Sequence, residues 1–136
     1  MGKKSVNIGF KSNIKVELAE RPVGTDELTP AGAYEKVDKS IVGIMIYNES
    51  GKGGQASGII FSKDGYIVTN DHIYSQIAAP KFKIYTHDGK EYDAKYVAGD
   101  KVSDLAVLKI DGGKFSPATF GDSDELIYGE DVVAIG

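Results

Sequence analysis

From Tyr34 onward the chain is cut into short runs of Ile, Val, Tyr and Phe by Gly- and Asp-bearing turns, roughly every ten residues. That punctuation leaves little room for helix. The runs fall near residues 41–47, 56–62, 65–69, 82–86, 91–98, 104–110 and 131–135. Such strand lengths, joined so closely, predict an all-β fold, an antiparallel barrel of six or seven strands or a sandwich. Helix is confined to a turn or two after Asn70, because little else repeats at about 3.6 residues.

Two turns have a clear mechanism. Lys63-Asp64-Gly65 and His87-Asp88-Gly89 each place a glycine where a tight hairpin needs positive φ. After the second turn, Tyr92, Ala94, Tyr96 and Ala98 alternate with Glu91, Asp93 and Lys95, which predicts one buried and one wet face. Residues 41–46 and 105–110 are apolar on both faces, so those strands are expected to be covered on each side. Residues 1–33 mix Lys, Asn, Glu, Gly and Pro with scattered apolar positions and read as an extension, with a short strand near 14–18, ahead of a domain over 34–136.

Composition narrows the function. Lys and Arg number 16 against 20 Asp and Glu, a net charge of −4, so there is no basic excess to neutralise phosphates and nucleic acid is not an expected partner. With no cysteine there is neither a disulfide framework nor a thiol nucleophile. Two histidines 15 positions apart, without ligand-spaced carboxylates, do not form a zinc site, and no Gly-rich strand-to-helix loop marks a nucleotide. No cofactor and no metal are expected. The eight tyrosines, lacking a basic groove, read as strand residues. The longest apolar run, near 41–47, is strand length and far short of the roughly 20 residues a membrane span requires. The start, MGKKSV, has Val6 where a myristoylation signal wants Ser or Thr, and no signal-peptide core follows it.

His72 directly follows a strand, at a junction where a rigid sheet can aim a side chain into a cleft; a general base and a structural histidine bonded to nearby backbone are both consistent with that place. His87 sits in a hairpin turn and is assigned no role. Asp104 opens an apolar strand, where partial burial would call for a partner, and His72 is the obvious one. Asp71 reads as a cap of the turn after the strand, and Asp100, Asp111, Asp122 and Asp124 read as turn residues.

Three blocks of sequence draw these residues together: SGIIFSKDGYIVTNDHI at 57–73, SDLAVLKI at 103–110 and FGDSDELIYGEDVVAIG at 120–136. Together they resemble the HtrA family of trypsin-like serine proteases over about residues 34–136. In that family a Thr-Asn-x-His segment carries the general base and an Asp-Leu-Ala-Val-Leu-Lys segment supplies the carboxylate that orients it. Carried over, these are His72 and Asp104. The family usually has Asn and Val where this chain has Asp71 and Ile73.

The resemblance implies that the barrel is the N-terminal half of a trypsin-like double barrel, with acyl-enzyme chemistry on unfolded or misfolded polypeptides. It also implies a cell-envelope or extracellular location, with a membrane anchor in the full-length protein. The family's nucleophile lies in a Gly-x-Ser-Gly-Gly loop of a second, C-terminal barrel, and no serine of this chain stands in such a pattern. The expectation is therefore half of a catalytic centre, inactive alone, whose uncovered barrel face awaits the missing barrel and invites self-association or a swapped strand. The alternative is a non-catalytic β-barrel binding module or pseudoprotease.

Overall fold

The computed structural model describes residues 4–7, 14–21, 28–51 and 53–136. Two strands, β1 (Lys4–Asn7) and β2 (Lys15–Ala19), pair antiparallel ahead of a short helix, α1 (Pro30–Val37). There follow β3 (Ile41–Tyr47), β4 (Gly53–Ile60), β5 (Tyr66–Thr69), β6 (Lys81–Tyr85), β7 (Glu91–Asp100), β8 (Leu105–Ile110) and the two-residue β9 (Phe120–Gly121).

Strands β3 to β8 close into a six-stranded barrel in the order β3-β4-β5-β8-β7-β6, and all neighbours run antiparallel. Its core is aliphatic and mostly β-branched, with one aromatic ring: Val42, Ile44, Ile46, Ile60, Ile67, Phe82, Ile84, Leu108 and Ile110 are all buried. These residue types suit a pleated surface covered on one side. Gly65 and Gly89, at φ +96° and +79°, make the two expected hairpin turns. In each, the glycine N–H bonds back three residues, to Ser62 and Thr86.

Several expectations need correction. The barrel has six strands, as one of the two expected numbers had it, but the strand expected at 131–135 is not one of them, since residues 131–136 lie in no strand. Once each of the six strands has two partners, no edge remains for a seventh. The strand expected at 56–62 is shifted toward the N-terminus, because Gly53, Gly54 and Gln55 find ladder partners in Tyr47, Ile46 and Met45 despite poor strand propensity. In β3 only alternate side chains are buried, while Gly43 and Met45 face outward, so that strand is covered on one side. In β8 the expectation holds in the middle, where consecutive Ala106, Val107 and Leu108 are all buried.

The alternation in β7 breaks at a bulge between Tyr96 and Ala98, which leaves Tyr96 and Val97 exposed. Helix α1 falls where no helix was expected. Thr29 caps it, its hydroxyl accepting the Gly32 N–H at 3.0 Å, and Pro30 opens it. The strand near 14–18 is present as β2, which also pairs in parallel with β9.

Candidate active site

The β5–β8 pairing brings the two candidate residues together. Tyr66 faces Lys109 and Thr69 faces Ala106, so the antiparallel register, run two steps past Thr69, sets residue 71 opposite residue 104. The chain does continue that way: the Asp71 N–H donates to the Asp104 carbonyl at 3.2 Å. Thr69, buried, anchors this end of β5 by donating its hydroxyl to the Ser57 carbonyl at 2.8 Å. Beyond Asn70 the backbone turns sharply through a 3-10 turn at Asp71–Ile73, where the sequence placed its turn or two of helix.

That turn delivers His72 onto Asp104 twice. Its backbone N–H donates to Asp104 Oδ1 at 2.8 Å, and its Nδ1 lies 2.7 Å from Asp104 Oδ2. Asn70, which the sequence reading did not single out, braces the acid by donating its side-chain amide to the Asp104 carbonyl at 3.1 Å and to Oδ2 at 3.4 Å. Asp104 itself holds a left-handed backbone conformation, φ +56°. Asp tolerates this region better than most side chains, and backbone strain of this kind persists only where its surroundings enforce it.

The electrostatics assign the proton. The imidazole hydrogen bond, first, and the His72 backbone N–H, second, hold the Asp104 carboxyl below the usual carboxylate range. An ionised carboxylate only accepts, so Nδ1 is the donor and neutral His72 carries its lone pair on Nε2. The imidazole side chain is 69% exposed, and Nε2 meets no hydrogen-bonding group among the described residues. A base oriented on one nitrogen and open on the other can take a proton from an approaching hydroxyl.

Among the described residues no serine hydroxyl is hydrogen-bonded to the imidazole nitrogens. The nearby Ser75 hydroxyl bonds the His72 carbonyl at 3.4 Å, and Ser57 is held by its own carbonyl to Thr69. An open groove of about 310 Å³, lined by Ile41, Ser57, Ile59, Val68, Leu105 and Ile135, runs beside Asn70. A larger hollow of about 740 Å³ between β2 and Phe61 shares no residue with it.

Asp71 departs from its expected role. Its carboxylate is buried and accepts the Tyr74 hydroxyl, so the turn is closed by a phenol rather than capped on backbone. His87 stands in its hairpin, 3.9 Å from Asp38. Asp100 and Asp122 do act as turn residues, accepting backbone N–H groups two or three positions on. Asp111 instead pairs with Lys109 at 2.7 Å. Among the described residues no three His, Asp or Glu side chains gather as metal ligands.

Comparison with known proteins decides the family, since the trypsin-like peptidase domain profile matches residues 56–136. The chain belongs to the HtrA-like, trypsin-fold peptidases. It is 45% identical over 82 residues to a probable periplasmic serine endoprotease, DegP-like, of Chlamydia trachomatis, covering 60% of this chain and 16% of that protein. To the serine protease Do-like HtrA of Bacillus subtilis it is 43% identical over 93 residues, 65% of this chain and 20% of that one. The chain thus spans about a sixth to a fifth of the length of these relatives.

Among solved structures, an HtrA-type protease with a tripeptide matches 75% of this chain and 33% of its own, at a TM-score of 0.67 and 28% identity. The serine endoprotease of Yersinia pestis matches 67% and 32%, at 0.57 and 27%. Together these likenesses assign the six-stranded barrel to the trypsin type.

Proposed function

We propose that this chain carries the general base, His72, and the orienting acid, Asp104, of a serine endopeptidase acting on polypeptides. One observation carries the reading: both Asp104 carboxylate oxygens engage His72, at 2.8 Å through its backbone N–H and at 2.7 Å through Nδ1. A binding module would need neither that fork nor the left-handed backbone that aims it.

In this reading His72 Nε2 takes the proton of a serine hydroxyl as its oxygen attacks the substrate carbonyl. The resulting imidazolium is stabilised by Asp104, which stays ionised, and then gives its proton to the leaving amine. The serine and the oxyanion donors come from polypeptide outside these 136 residues, in a second barrel that meets this one. Alone, the chain is inactive, because losing the nucleophile costs about 10⁶ in turnover before the lost oxyanion donors are counted. The names of the relatives support a cell-envelope location and the role of a protease. No helix among the described residues is long and apolar enough to cross a membrane.

The isolated chain is expected to leave casein intact and to resist a serine-directed fluorophosphonate. Stoichiometric labelling of any of its serines would overturn the assignment of the nucleophile. In solution the uncovered face is expected to drive self-association. A strictly monomeric chain at millimolar concentration counts against that part.

A further inference from the structure

Next to the exposed imidazole stands a carboxylate with the opposite environment. Asp71 is 4% exposed, and no Lys, Arg or His pairs with it among the described residues. Its carboxylate accepts the Tyr74 hydroxyl, and the Tyr74 ring in turn packs on Tyr96 with centroids 5.0 Å apart. A carboxylate buried without a cation is costly, so one held by a phenol calls for a reason.

We propose that buried Asp71, half-buried Tyr74 and the Tyr96 ring form a clamp that sets the His72 turn against the barrel wall, making them positioning residues for the imidazole. The clamp rests on the reading of His72 as the general base.

Three features of the fold converge on this cluster. Asp71 is tied at both ends, its N–H to the Asp104 carbonyl and its carboxylate to Tyr74, so it links the acid's backbone to the base's turn. Tyr74 is wedged between two barrel strands. Its ring lies edge-on to Phe82 of β6, centroids 5.8 Å apart, and 5.0 Å from Tyr96 of β7.

The β7 bulge makes the third contribution. Tyr96 faces Leu108 and Gly99 faces Ala106; residues 106 and 108 share a face of β8, so Tyr96 and Gly99 share a face of β7. Without the extra residue, positions three apart would point oppositely. At Gly99 a Cβ would stand 2.6 Å from both phenolic oxygens and closer still to Asp71 Oδ1, so the missing side chain is the space the cluster occupies. Burial, first, and donation to Asp71 push the Tyr74 phenol above its ordinary range, so it remains a donor well into alkaline solution.

The test is NMR of the 136-residue chain with nitrogen-15 histidine, following exchange of the His72 Nδ1 proton with water, with β3 and β6 amides reporting the fold. Asp71→Ala and Tyr74→Phe are expected to speed that exchange about tenfold while the β3 and β6 amides stay in place. Asp71→Asn, which keeps an oxygen acceptor for Tyr74, is expected to restore it to within about twofold. A merely structural role would move the barrel amides and spare the proton.

Should Asp71→Ala not fold, Tyr74→Phe and Tyr96→Phe carry the test. Unchanged exchange in folded Tyr74→Phe and Tyr96→Phe chains overturns the clamp and leaves the His72–Asp104 pair standing. A wild-type proton that is indifferent to Asp104→Asn overturns the reading of that pair itself.

Discussion

The chain's two histidines both lie in turns, both stand largely in solvent and both face a carboxylate. His72 Nδ1 is 2.7 Å from Asp104, and His87 Nε2 is 3.9 Å from Asp38. Exposure does not separate them. What differs is the support of the acid. Asp104 is gripped through its carbonyl by the Asp71 N–H and the Asn70 amide, and its second carboxylate oxygen is filled by the His72 backbone. His87 rides on a hairpin closed by Thr86, Asp88 and Lys90 among themselves. A catalytic geometry depends on groups that restrain the side chains from behind, and only one of the two turns has them.

The contrast can be broken most severely by kinetics. In the full-length gene product His72→Ala is expected to lower kcat about 10⁶-fold and Asp104→Asn about 10⁴-fold, while His87→Ala and Asp38→Asn stay within about twofold. A large loss in the second pair would erase the distinction. Next in size is the barrel wall beneath Asp104. Leu108→Ala, fully buried in β8, is expected to cost about 2–5 kcal/mol by denaturant unfolding, and outward-facing Met45→Ala in β3 only about 0.5 kcal/mol.

An acid titration sharpens the comparison further. Because the folded Asp104 carboxyl is held below its ordinary value of about 3.9, it favours folding above that pH, and the contribution disappears as pH falls through the lowered value. The His72 amide, which donates to Asp104 Oδ1, is expected to shift in NMR with a midpoint below about pH 3.9. A midpoint at or above it would show that His72 does not stabilise the carboxylate. The smallest effect belongs to the other turn, where His87→Ala is expected to change stability by less than about 0.5 kcal/mol.

Much of this was legible beforehand, for reasons that differ by residue. The hairpins at Gly65 and Gly89 were readable because positive φ is a local demand that few residues meet. The cores of β3, β5, β6 and β8 were readable because β-branched runs bounded by turns have few alternatives. Helix α1 was missed although Thr29-Pro30 signals a helix start, because its eight residues bury nothing and show no apolar stripe. The inward start of β4 at Gly53 was hidden too, since glycines enter a strand only when a neighbour such as β3 supplies the ladder.

Asp71 was read as a local cap because its nearest candidates were backbone groups. Its actual partner is the Tyr74 hydroxyl, whose ring packs on Tyr96, about 25 positions from Asp71 and brought near by a bulge that no local pattern announces.

Taken alone, then, the sequence determined the turns, the strand composition and the identity of the two residues that resemble a protease's base and acid, because each is written in contiguous residues. Tertiary structure decided the rest: six strands rather than seven, the meeting of His72 with an acid 32 positions on, and the burial of Asp71. The reason is physical. Barrel closure and the β5–β8 register are satisfied jointly by every strand, and such a condition belongs to no single segment of the chain.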